Sequence, residues 1–206
     1  GGLIDLGVAD LATLFAFLPW LFLVFMPALA MRQWAEEIAS GAIETTLALP
    51  VPLWTLVAGK FLAAWAVAGA GLALTMPLWI AISVLGAPDH GPIAVGYLTA
   101  FLVAGAYLAI GAAASALSGS AVTAFVAAAA IGFVFTAAGL PVVLDAARGL
   151  FGPGASDAMA AFSLLEAMDA GARGVIEAPR LVFLLGLIGF FLMFATVWLD
   201  ARRGGR

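Results

Sequence analysis

The chain has 206 residues, of which 65% are hydrophobic and only 10% charged, and its mean hydropathy is +1.18. A soluble domain carries about 45–50% apolar and roughly 25% charged residues, so these few charges cannot cover a water-facing surface and most side chains must be solvated by lipid or by other helices. With no cysteine, one histidine (His90) and a net charge of −4, disulfide frameworks, thiolate metal sites, histidine pairs and nucleic-acid binding are excluded, and no cofactor is expected.

Crossing a hydrocarbon core of about 30 Å takes roughly 20 apolar residues in a helix. Residues 11–31 contain no Asp, Glu, Lys, Arg or His and predict a first span, with Pro19 and Pro27 inside it. No basic segment precedes this run, so it does not read as a signal peptide, and a start at Gly1 suggests a truncated or processed N-terminus.

Residues 32–60 then read RQWAEEIASGAIETTLALPVPLWTLVAGK. Gln33, Glu36, Glu37, Ser40 and Glu44 recur at three- and four-residue steps and form a polar stripe, with Trp34, Ile38 and Ala42 on another face. Pro50 and Pro52 end the pattern. The spacing predicts one amphipathic helix at the membrane surface and a turn back into the bilayer. Helices that merely rest in the headgroups usually carry Lys and Arg on the polar face. This one carries three glutamates, which favours a protein partner, with a passive interfacial helix as the alternative.

A second charge-free run covers residues 61–87, with Pro77 inside it. The polar stretch 87–92 is a turn, and His90 is read as a turn residue. Residues 93–117 and 121–144 predict a third and a fourth span around the short turn Ser118-Gly119-Ser120. Gly105 with Ala109, and Ala128 with Gly132, stand at the spacing that lets helices approach closely; ordinary packing within the chain explains them better than a dimer seam. Residues 145–179 are too polar to span, and their interleaved Phe162, Leu165, Glu166, Met168, Asp169 and Arg173 fit either re-entrant or interfacial helices. Residues 181–199 form a fifth span. The expected fold is an all-α, polytopic transmembrane helical bundle in a single domain.

Five spans sort the charges into two sets. Arg32, Lys60, Arg202, Arg203 and Arg206 share one side with Glu36, Glu37, Glu44 and Asp200. The other side holds Arg148, Arg173 and Arg180 against Asp5, Asp10, Asp89, Asp145, Asp157, Glu166, Asp169 and Glu177. Basic residues concentrate in cytoplasmic loops, so the first side, with the C-terminus, is expected inside.

Charges within spans mark proton relays and ion pathways, and none of the five spans carries one. That argues against an ion-coupled transporter, a pump or a voltage sensor. Gly59-Lys60 is no phosphate-binding loop, because Trp54 stands where its first glycine belongs and no Ser or Thr follows. Ser118 and Ser120 lack a nearby base, and Glu36-Glu37 lacks the histidines of a membrane protease, so an enzyme is not expected. Energy for any uphill movement must come from another chain.

The run Arg32, Glu36-Glu37, Ser40-Gly41-Ala42-Ile43-Glu44, Leu49-Pro50 and Gly59-Lys60 resembles the signature of ABC-transporter type-2 permeases, in particular the gliding-motility and multidrug-export subunits. Gly174-Val175-Ile176-Glu177 ahead of the last span, with Arg202-Arg203 after it, resembles a second element of that family. Ala42 replaces the usual threonine, and Ala39 stands where a basic residue is common. The resemblance implies six spans in a full-length protein of the bacterial cytoplasmic membrane, an exporter subunit working as a homo- or heterodimer. It also implies an ABC ATPase subunit as partner, contacted by a coupling helix through Glu36, Glu37, Gly41 and Glu44. A non-transporting membrane scaffold whose acidic helix recruits another protein is the competing reading.

Overall fold

In lipid, backbone polar groups must be satisfied within the protein, which leaves helices as the natural state of isolated apolar runs. In the computed structural model, which describes residues 11–85 and 88–204, every regular element is a helix. Asp5, Asp10, Arg206 and the expected end of the second span at Ala87 lie outside the described residues.

Helix α1 (Ala12–Ala30) leads into two short helices, α2 (Ala35–Ser40) and α3 (Ile43–Leu47). Helices α4 (Leu53–Ala73) and α5 (Met76–Leu85) form one apolar rod with a loosened turn at Leu74-Thr75, where the Thr75 hydroxyl donates to the Leu72 carbonyl at 2.7 Å. Then come α6 (His90–Leu117) and α7 (Ala121–Ala137), followed by the short helices α8 (Pro141–Phe151), α9 (Pro153–Ala161) and α10 (Leu164–Ala172). Helix α11 (Ala178–Gly204) ends the described chain. Four helical stretches are long and apolar enough to cross a membrane, and a fifth is made by α7 with α8 if that bent pair is one span. The protein is an all-α polytopic bundle.

Helix α6 is its axis. Every residue from Val103 to Ala116 is buried, and α6 packs against α1, α4, α7, α10 and α11. Small residues permit this crowding. A methyl group on Gly111 would come within 2.5 Å of the Ala30 Cβ, and one on Gly132 within 3.0 Å of the Tyr107 ring. At Gly105 the neighbour is Trp65, whose ring stacks on Phe101 with centroids 4.4 Å apart. Gly105, Ala109, Ala128 and Gly132 are all buried inside this one chain, so their spacing serves intramolecular packing.

Two sequence expectations shift. The second apolar helix begins at Leu53, eight positions before Phe61, so Lys60 lies within the helix and not in a loop ahead of it. Helix α7 stops at Ala137, short of the expected Leu144, and the chain bends by 65° into α8. Leu140 precedes Pro141 and is therefore driven to the extended region (φ −67°, ψ 135°). The apolarity of residues 141–144 concealed this break.

The polar segment before the last long helix divides. Helix α10 is wedged among α1, α6 and α7, with Leu164, Ala167, Met168, Ala170 and Gly171 buried and Ser163 capping its start by accepting from the Glu166 amide at 3.2 Å. It closes in the left-handed turn of Gly174 (φ 77°), where the Gly174 and Val175 amides donate back to Gly171 and Ala170. Helix α8 instead leaves Val142, Leu150 and Phe151 exposed.

Candidate functional site

The acidic segment sits at the end of the bundle that carries Arg32, Lys60 and Arg202, where the Arg202 guanidinium donates to the Leu117 carbonyl at 3.4 Å. Its sequence makes two helices where the polar stripe predicts one. Gly41 takes φ 76° and breaks the run; a left-handed residue stops a helix, and glycine bears that conformation without a Cβ penalty. The buried face is accordingly Trp34, Ala35 and Ile43, while Ala42, expected on the apolar face, is exposed.

This elbow is rooted in the spans. Trp34 and Ile43 form a small core with Leu53, Val57, Ala113, Ala116, Ala195 and Leu199, which come from α4, α6 and α11. Helix α2 has no side-chain cap of its own. The Ser115 hydroxyl of α6 instead accepts from the Trp34 and Ala35 amides at 3.0 and 3.1 Å and donates to the Met31 carbonyl at 2.9 Å. That uses the one donor and both acceptor positions of a hydroxyl.

The four residues singled out by resemblance occupy different settings. Glu36 is exposed and pairs with Arg32 at 3.3 Å. Glu37 turns inward and pairs with Lys60, whose ammonium also donates to the Gln33 carbonyl at 2.6 Å and stands 3.8 Å from the centre of the Trp34 ring. Gly41 and Glu44 are exposed on the outer side of the elbow with Ala39, Ser40, Thr45 and Ala48. Glu36 and Glu37 stand in the first turn of α2, where carboxylates also suit the positive end of the helix dipole. The outer surface is thus acidic, small-residued and shallow, mounted on a packed base. It can receive a neighbour but offers no catalytic grouping; among the described residues no cluster of His, Asp and Glu is suited to a metal ion.

Residues 6–165 match the family model described as ABC-2 family transporter protein. The chain belongs to the ABC-2 transporter family. No curated protein and no solved structure matches it. The matched stretch covers well over half of the chain and runs through the elbow into α10. This ABC-2 protein is a multi-pass membrane permease component of an ABC transporter. Its Gly174–Glu177 element lies beyond the matched residues.

Sequence reasoning missed Ser115 and the internal role of Lys60. One signal was available for the first: Ser115 is the only hydroxyl-bearing residue between Tyr107 and Leu117, in a run otherwise made of alanine, glycine, leucine and isoleucine. A lone polar side chain in such a helix must find a partner when it is buried.

Proposed function

We propose that this permease converts ATP binding and hydrolysis on a separate ABC ATPase subunit into movement of its own spans, as part of an exporter in the bacterial cytoplasmic membrane. Residues 32–52 are the coupling element, and the end of the bundle bearing them, with the C-terminus, faces the cytoplasm, as its excess of basic residues favours. The single observation that supports this most is the acidic elbow rooted on three spans: a surface that receives force is useful only if it is stiffly joined to what must move. Glu36, Gly41 and Glu44 meet the ATPase from the outer side, and Glu37 sets their angle through Lys60. Two copies of the permease, identical or related, would bring two such elbows to two ATPase subunits. Spans near residues 11–31, 53–84, 90–117 and 178–199, with the bent pair α7 and α8 as the fifth, form the translocation unit.

The experiment pairs the permease, in lipid nanodiscs, with an ABC ATPase subunit taken from a neighbouring gene that carries a phosphate-binding loop. Glu36→Lys together with Glu44→Lys should abolish co-purification and the permease-dependent part of ATP hydrolysis. Retention of the ATPase by that double variant would exclude the acidic elbow as the contact. A wild-type permease that binds no ATPase at all would favour a scaffold instead.

A further inference from the structure

Ser115 belongs to α6, yet it is the cap of α2, a helix 80 residues away in sequence. The amides at the start of a helix have no partner within it, and side-chain caps normally come from the residue just before the helix. Here that residue is Trp34, which cannot accept such a bond. Ser115 is fully buried, so no water competes for the amides. The same hydroxyl also holds the Met31 carbonyl at the end of α1. One side chain therefore joins the last turn of α1, the first turn of α2 and the axis of the bundle.

The contacts around it make the junction stiff. Gly111, one helical turn before Ser115, lets α6 lie against Ala30, and Ala113 and Ala116 pack in the same small core as Trp34. A displaced α2 must either carry α6 with it or break its two hydrogen bonds to the buried Ser115 hydroxyl. From this we propose that Ser115 is a positioning residue of the transport cycle, the link through which motion of the coupling elbow reaches α6. The proposal rests on the ATP-driven reading of the elbow. It adds that the movement is delivered to the central helix, not only to the spans directly joined to the elbow in sequence.

The test has two arms. In the permease alone, in nanodiscs, Ser115→Ala and Ser115→Gly should speed hydrogen exchange at the Trp34 and Ala35 amides by about tenfold, and Ser115→Thr, which keeps the hydroxyl, should restore protection. In the complex with the ATPase, cysteines placed at Leu98 on α6 and Val182 on α11, both exposed, take spin labels at unique positions because the chain has no cysteine. ATP with vanadate should change the distance between them in otherwise wild-type protein. In S115A the ATPase should still co-purify while most of that change disappears, and S115T should regain it. An undiminished change in S115A, or unaltered amide exchange, overturns the link through Ser115. If ATP moves nothing in the wild type although the ATPase is bound, the driven reading of the elbow fails, and the link fails with it.

Discussion

The ammonium of Lys60 is paired with the carboxylate of Glu37 beneath the acidic elbow, joining the second turn of α4 to the first turn of α2. Both side chains are less than a third exposed, at 27% and 29%. This is neither a solvated surface pair nor a sealed one. Lys60 gains further from the Gln33 carbonyl and from the face of Trp34, so a charge that lies inside an apolar helix keeps a polar and aromatic setting at the membrane edge.

Loss of one partner should therefore cost more than at a surface pair. Lys60→Met leaves Glu37 half-enclosed without its cation and is expected to destabilise the protein by about 1–3 kcal/mol, and Glu37→Gln by about 1–2 kcal/mol. The double variant should cost less than the two single costs added, because neither charge is then stranded. Thermal unfolding in detergent gives the three values. With the other five tryptophans replaced by Phe, Trp34 fluorescence reports the local site, since its ring loses the ammonium.

Gly41 is a conformational glycine. Its φ of 76° suits no ordinary side chain, but a Cβ there would meet nothing within 4 Å. Gly41→Ala should cost about 1 kcal/mol from backbone strain alone, and Gly41→Asn less, because Asn tolerates the left-handed region. Equal losses for the two would point to a steric cause, which the open space around Gly41 does not supply. Circular dichroism melts distinguish these outcomes.

The bundle was legible in the sequence because charge-free runs of bilayer length have few alternatives to helix in lipid. The ends of the helices were less so. Residues 53–60 carry the polar Lys60 and follow two prolines, so they looked like a loop, yet Pro52 sits at the position that starts a helix. Residues 141–144 are apolar and looked like membrane, yet the Leu140-Pro141 step turns the chain. In the elbow, the stripe of glutamates was visible but their directions were not. The αL residue Gly41 separates Glu44 from Glu36 and Glu37 by a change in helix axis that periodicity alone does not register. The Ser115 link joins residues far apart in the chain, and no local pattern announces such a partner.

Within the spans, Tyr107 and Thr136 share a hydrogen bond whose two ends are not equivalent. The Thr136 hydroxyl donates to the Gly132 carbonyl at 2.7 Å, which leaves it to accept from Tyr107. Tyr107→Phe removes a donor and leaves Thr136 with its own partner, so its cost should stay below about 1 kcal/mol. Thr136→Val strands a buried phenol and should cost about 1–2 kcal/mol. The reverse order in thermal melts would mean that the phenol has another partner.

Close packing around α6 gives the last contrast. Gly111 lies where α1 and α6 nearly touch, and a methyl group there would stand 2.5 Å from the Ala30 Cβ and 3.7 Å from the Pro27 Cα. The first of these is far inside van der Waals contact, and it faces a side chain that is itself a single methyl with nowhere to rotate. Gly111→Ala must therefore push two helices apart along the seam next to Ser115, at an expected cost of about 1–3 kcal/mol. Gly186→Ala on α11 meets nothing within 4 Å and gains helix propensity, so it should be neutral or stabilising by up to about 1 kcal/mol. The same chemical change at two glycines thus separates packing from propensity. If Gly111→Ala also slows the ATP-driven label movement when combined with Ala30→Gly, which gives the space back, α6 is sensitive to its sequence there for a reason other than crowding. Recovery of both stability and movement in that double variant is the outcome the 2.5 Å approach demands.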